Sequence, residues 1–348
     1  MGLPLAALNA LVEEHKYRPI QGSILTIGRQ VICLGPENYK DFFDGHGIAL
    51  PPGHKLTLDK CTTFAHAHRK SGEFISDTCF FSAFGDCQVT ALDVSSIEEA
   101  EILWDLTKPI PEDLQLQFDF VVNGSCLDNI SDPMTALKNM SRMVKPGGRI
   151  FHLEFCSALP NAYIRFSPEW FSDYYAINNY NHCKTYIIIE NNGTEEYWFY
   201  DPLDANGNYI MPKVDTLFHY RVMVIAERGP ASTFDRSPIQ TVYRHGAEQC
   251  REYADAARVF RASSRPVYWE SRPVPLGTPT ESAQAVADRM SGRIGQGVFV
   301  RQYEKEGLRP MDMRYGNDDI FPYIRRPDAA PLLEGPFLDD VISAKTGR

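Results

Sequence analysis

The chain has no C-x-x-C pair among its eight cysteines, no surplus of positive charge, no internal repeat, and no unbroken apolar run of the roughly 18 residues that a membrane span needs. Each lack excludes something. Cys33, Cys61, Cys79, Cys87, Cys126, Cys156, Cys183 and Cys250 sit mostly in apolar runs. They read as free buried thiols of a reducing compartment, not as a disulfide framework. The opening MGLPLAALNALVEEHKYRP lacks a basic region and soon turns polar, so it does not read as a secretory leader. A soluble, cytoplasmic protein is expected, with no membrane partner. The formal net charge of −10 argues against nucleic acid, because an acidic chain gains nothing by neutralising phosphates.

What is present fits one large domain or two modest ones in 348 residues. The acidity is uneven: residues 1–225 carry about 28 acidic and about 17 basic side chains, and the remainder is nearly neutral and rich in Arg. Apolar spacing predicts a helix over 3–16. Strands are expected at 23–28, 89–94, 102–104, 118–122 and 149–155. Residues 31–72 read as an inserted loop with one helix. Helices are expected over 73–84, as a short turn at 97–101, and over 132–143, where Asp132 caps and Pro133 takes the first position. Residues 170–178 read as helical, and 183–190, 197–200 and 220–226 as further strands, antiparallel at the sheet edge. Strand and helix alternating with short turns give an α/β fold, a doubly wound parallel sheet of Rossmann-like type. The first domain is drawn as 1–228. Residues 229–348 form an irregular C-terminal extension with candidate helices at 248–262 and 281–290. Its aromatics, Tyr253, Phe260 and Trp269 among them, argue for docking on the acidic core or for homo-oligomer contacts.

In such a sheet, ligands bind at the carboxyl ends of the strands near the point where strand order reverses. The first strand ends at Gly28, where a missing Cβ lets a ligand approach the backbone. The second ends at Asp93, a carboxylate able to accept from both hydroxyls of a ribose. The third ends at Asp105 beside Leu106, an acidic group for an adenine amino proton with an apolar neighbour for the ring. The fourth ends at Asn123 and Gly124, again bringing backbone close. Together these make a nucleoside pocket.

The motifs ALDVS (91–95), WDLTKPIP (104–111), FDFVVNGSCLDNISDPMTALKNMSRMVKPGG (118–148) and the strand after it resemble those of the class I S-adenosylmethionine-dependent methyltransferases. TIGRQ (26–30) and RFSPEWFSDYY (165–175) resemble a degenerate branch of that family with a G-R-Q-like first motif. The resemblance spans about residues 20–225. It implies S-adenosylmethionine as cofactor, with Asp93 on the ribose, Asp105 and Leu106 on the adenine, and Gly28, Asn123 and Gly124 along the methionine arm. The usual first motif has three spaced glycines, whereas here Gly28 is followed by Arg29 and Gln30. Arg29 is then a candidate partner for the cofactor carboxylate, or a surface ion-pair residue. The family's Glu-His after the fourth strand reads Asp128-Asn129 here, so no histidine base carries over from that position.

If a general base exists, the candidates in order are Asp128, Glu154 and His152. The bland alternatives are a helix cap for Asp128 and a satisfied core histidine for His152. His66-x-His68 with Cys61 and His54 lacks the close paired spacing of metal sites, so no metal is expected. Tyr163, Trp170, Tyr174 and Tyr175 read as core, or as the wall of an acceptor pocket. Three functions stand: O-methylation of a small-molecule acceptor such as a sugar or secondary metabolite, a catalytically inactive methyltransferase-like binding protein, and a cofactor-dependent enzyme of altered reaction type.

Overall fold

The structure, a computed structural model, describes residues 2–60, 72–156, 162–191, 194–203, 219–263 and 271–273. They fall in a unit that runs to Leu276. A second unit, Gly277–Arg348, lies outside the described residues, and so does the helix expected at 281–290.

A two-residue strand β1 (Gly2–Leu3) precedes helix α1 (Leu5–Tyr17), and β2 (Gly22–Ile27) is the first strand of the main sheet. The chain then makes β3 (Val31–Ile32), which pairs in parallel with β1, and helix α2 (Tyr39–Gly45) inside the insertion. Helix α3 (Asp77–Ser82) is shorter than the 73–84 expected. Ser76 caps it by accepting from the Cys79 N–H, which fixes its start. Next come β4 (Cys87–Asp93), β5 (Ile102–Leu103), β6 (Phe118–Gly124), α4 (Pro133–Met143), β7 (Val144–Phe155), α5 (Pro168–Ile177), β8 (His182–Asn191), β9 (Thr194–Tyr200), β10 (His219–Glu227), α6 (Ala247–Ala262) and β11 (Ser271–Pro273). The helical turn expected at 97–101 is absent. Residues 94–101 form bends and a turn, and the third strand is two residues long, paired only through Leu92 to Ile102 and Asp93 to Leu103. The last strand of the parallel run begins at Val144, earlier than the 149 expected, with Phe118 pairing Val144 before a register shift.

The described sheet has the order β11-β9-β8-β10-β7-β6-β2-β4-β5. From β2 the chain moves outward through β4 to β5, then returns to the other side of β2 for β6 and β7, all in parallel. β10 inserts antiparallel between β7 and β8. This is the doubly wound, Rossmann-like arrangement with an antiparallel edge, and its reversal point lies between β2 and β6.

Both faces are covered, as parallel strands require. Ile24, Phe120, Val122 and Phe151 pack with Leu8 and Leu11 of α1 and Phe80 and Phe81 of α3. Their neighbours in sequence, Leu25, Val121 and Ile150, turn to the other face with Leu137 and Met140 of α4 and Phe171 and Tyr174 of α5. The alternation follows from the period of two along a strand. Tyr253 and Phe260 of α6 are buried in that second layer, so residues up to α6 pack on the sheet domain. Arg244 fixes the approach by pairing with Asp173 of α5 while its guanidinium stacks 3.5 Å from the Tyr253 ring centroid.

The amino end of the sheet is tied to α1 by a buried ion pair. Arg149 Nη1 donates to Glu14 Oε1 at 2.5 Å, and its nitrogens also donate to the carbonyls of Arg18 and Pro19 at 2.8 and 2.6 Å. Removing one partner of such a pair leaves the other charge buried. Glu14→Ala should therefore cost about 3–5 kcal/mol of stability, read as a drop in the urea midpoint. A loss below about 1 kcal/mol, the worth of an exposed pair, would contradict this account.

Candidate active site

At the carboxyl ends of the parallel strands the backbone turns away from the sheet, and polar side chains meet it. β2 ends in Gly28 at φ 69°, a left-handed turn that suits glycine, and its N–H donates to the Leu92 carbonyl at 2.7 Å. Arg29 then points sideways. It pairs with Glu101, lies 3.8 Å from Asp77 and donates to the Glu99 carbonyl at 3.2 Å. The side chain is thus held within the protein by acidic neighbours. With Gln30, Leu58, Lys60 and Asp77 it lines a cavity of about 240 Å³.

Asp93 stands half-buried at the end of β4. One oxygen accepts from the Ser95 N–H at 2.8 Å, and the other has no partner among the described residues. Asp105 follows β5 and is half-buried. It accepts from the Thr107 hydroxyl at 2.7 Å and from its N–H at 2.9 Å, and these two bonds hold the carboxyl below the usual carboxylate range. Leu106 is buried in the core, and its carbonyl accepts from Asn139 Nδ2 at 2.8 Å. The adjacent Trp104 indole N–H is buried without a partner among the described residues.

The end of β6 is held by a network. Asn123 is fully buried. Its amide nitrogen donates to His152 Nδ1 at 2.9 Å and to Glu154 Oε1 at 2.6 Å, while its oxygen accepts from the Cys126 N–H at 3.1 Å. Glu154 also accepts from the N–H groups of Leu127 and Asp128, at 3.0 and 3.2 Å. A carboxylate one strand away thus caps the short 3-10 turn at Leu127–Asn129. Asp128 accepts from the Ser125 hydroxyl and the Asn129 amide, each at 2.6 Å. Ser125 itself adopts φ 66°. Because Nδ1 of His152 accepts from Asn123, the ring proton sits on Nε2 and is directed at the Tyr175 hydroxyl, 2.6 Å away.

The three base candidates are therefore brought together, but inside the protein. Asp128, His152 and Glu154 have no exposed surface. Burial lowers the His152 pKa to about 3, so the ring is neutral. Burial raises Asp128 to about 6 and lifts Glu154 well above its ordinary value, with the nearby Asp128 charge adding to the latter. Gly28 and Gly124 also converge, and the side chain between them is Gln30. Sequence reading marked Gln30 only as a departure from a glycine motif, and it had no signal for Asp77, Glu101 or Thr107. Of the doubtful metal group, Cys61, His66 and His68 lie outside the described residues, whereas His54 packs against Tyr39.

Comparison with known proteins adds to this geometry. Residues 71–207, which run from the insertion's end through β9, match the family model described as a methyltransferase domain. Over those residues the chain is similar to a methyltransferase domain, and S-adenosylmethionine is the cofactor that this likeness supports. A 47-residue stretch is 45% identical to the ubiquinone/menaquinone biosynthesis C-methyltransferase UbiE of Vibrio vulnificus strain YJ016. That stretch covers 14% of this chain and 17% of the relative, and the UbiE of Vibrio campbellii matches to the same extent. Among solved structures, TehB from Haemophilus influenzae aligns at 15% identity and TM-score 0.33, over 63% of this chain and 62% of its own. Phosphoethanolamine N-methyltransferase 2 of Haemonchus contortus, in complex with S-adenosyl-L-methionine, aligns at 12% identity and TM-score 0.32, over 64% and 52%. No helix among the described residues of the methyltransferase domain is long and apolar enough to cross a membrane.

The buried Asp128 generates a pH test. Its folded pKa lies above the unfolded value, so its contribution is fully present below about pH 4 and is lost as pH rises through about 6. Wild-type stability relative to Asp128→Asn should fall by on the order of 2–3 kcal/mol between pH 4 and pH 7, measured by urea unfolding at each pH. A constant difference would show that Asp128 titrates like an exposed carboxylate.

Proposed function

We propose that the chain is an S-adenosylmethionine-dependent methyltransferase acting in the cytoplasm on a small-molecule acceptor, with a hydroxyl of a sugar or secondary metabolite as the methylated group. The observation that carries this reading is the convergence at the reversal point of the sheet, where Gly28, Asp93, Asp105 and Gly124 all stand at carboxyl ends of strands. The residues present suit the cofactor in three respects. Among the described residues, Asp93 has a carboxylate oxygen without a partner and the Trp104 N–H is buried and unpaired, and Gly28 adopts a left-handed turn that leaves the backbone bare.

In this reading Asp93 holds the ribose hydroxyls. Asp105 meets the adenine amino group, with Leu106 packed beneath, and Gly28, Asn123 and Gly124 border the methionine arm. Arg29 shapes the rim through its acidic partners. When bound, the cofactor supplies an electrophilic methyl on a sulfonium. The protein's task is to align an acceptor with it and exclude water, since proximity and orientation supply much of the rate. Asp128, His152 and Glu154 act as positioning residues that hold the turn after β6. Of the C-terminal extension, Tyr253 and Phe260 pack on the domain, and residues 274–348 lie outside the described residues.

A binding protein without turnover is the second reading, and one observation favours it. The Gln30 side chain, not open space, stands between Gly28 and Gly124.

Calorimetric titration with S-adenosylhomocysteine tests the first reading. Wild type should bind, and Asp93→Ala should bind about tenfold to a hundredfold more weakly, as loss of hydrogen bonds to a charged group implies. Unchanged affinity in a folded Asp93→Ala protein would assign Asp93 a structural role. No binding by wild type, nor by a folded variant with the Gln30 side chain removed, would overturn the cofactor reading.

A further inference from the structure

We propose that Gln30 is a displaceable plug: its side chain fills the crevice between the ends of β2 and β6, and a ligand reaches the Gly124 backbone only when that side chain leaves. The proposal rests on the reading that this crevice receives the cofactor.

Gln30 is 2% exposed although it follows the strand on a turn. Its Nε2 donates back to the Ile27 carbonyl at 2.7 Å and to the Gly28 carbonyl at 3.2 Å, which folds the side chain over the end of β2. Its own N–H donates to Asp77 at 3.2 Å, so a backbone donor that could face a ligand is turned instead to the start of α3. The folded side chain reaches across to β6. A Cβ built on Gly124 would lie 2.1 Å from Gln30 Oε1 and 2.9 Å from Leu3 Cδ2. The bare backbone of Gly124 is thus already covered, by a carboxamide from one side and a leucine from the other.

The cover is incomplete in one respect. Oε1 of Gln30 is buried and accepts no hydrogen bond among the described residues. A buried acceptor left unmade weakens the closed form, which offsets part of what the two Nε2 bonds contribute. Swinging the side chain outward hydrates Oε1 and exposes Gly124 together. The closed form is therefore held weakly, and a ligand able to replace it shifts the population at small cost.

The full chain and Gln30→Ala, Gln30→Gly and Gln30→Leu variants would each be titrated with S-adenosylhomocysteine after their melting temperatures establish folding, with Gln30→Ser replacing any variant that fails to fold. When the binding-competent form is a minor fraction, apparent affinity is reduced by that fraction. Emptying the crevice should thus tighten binding, about tenfold for a closed form favoured ten to one. Alanine and glycine are expected to gain, and leucine, which keeps the bulk, is not. Binding by the alanine or glycine variant where wild type shows none would support the plug equally. Unchanged or weaker binding in both, with wild type binding, would overturn the plug and leave the cofactor reading standing. A leucine variant that gains as much as alanine would overturn it too. No binding by any of the proteins would overturn both.

Discussion

The carboxyl end of the sheet depends on the Glu154 carboxylate, which accepts from the N–H groups of Leu127 and Asp128 and from the Asn123 amide. Where parallel strands diverge, backbone groups lose their ladder partners and must be satisfied some other way. β7 supplies the acceptor for the turn after β6. α3 does the same for the turn after β2, through Asp77 and the N–H of Gln30. Two buried carboxylates from outside the turns thus accept from backbone N–H groups that would otherwise be left to face a ligand.

That arrangement divides the labour among the polar residues. Those on β6 and β7 are consumed by the structure: His152 is neutral and directed at Tyr175, and Asn123 uses both ends of its amide. Those on β4 and beyond β5 are not. Among the described residues, Asp93 keeps one oxygen unpartnered, and Asp105 is tied only to its own turn. The half of the crevice suited to a sugar and a base is therefore more open than the half beneath the methionine arm, where Gln30 and Leu3 close over Gly124.

Much of the fold was legible because it rests on local pattern. The buried strands read as apolar runs, and the cap at Asp132 with Pro133 at the first helical position read directly. Two elements were not legible for physical reasons. The 73–84 stretch is apolar enough for a helix, but Ser76 caps it late, and side-chain capping outweighs composition there. The stretch 97–101 had helix-like spacing, yet Glu101 turns to accept from the Ala91 N–H at the sheet. At the site, Asp93 could be placed because it closes the run that forms β4, and Asp105 because it follows the short β5. The network around Glu154 joins residues some thirty positions apart, and no spacing rule reports such pairing. The roles of Gln30 and Asp77 depend on two turns meeting in space, so composition could not assign them.

In the proposed reading the ligand lies along the carboxyl ends of β2, β4 and β6. A crystal structure with bound S-adenosylhomocysteine tests it most directly. The account predicts the ribose hydroxyls within about 2.6–3.2 Å of Asp93, the adenine beside Asp105 and Leu106, and the Gln30 side chain moved off Gly124. Density for the ligand elsewhere, as in the separate cavity of about 440 Å³ lined by His54, Cys79 and Ser82, would contradict it.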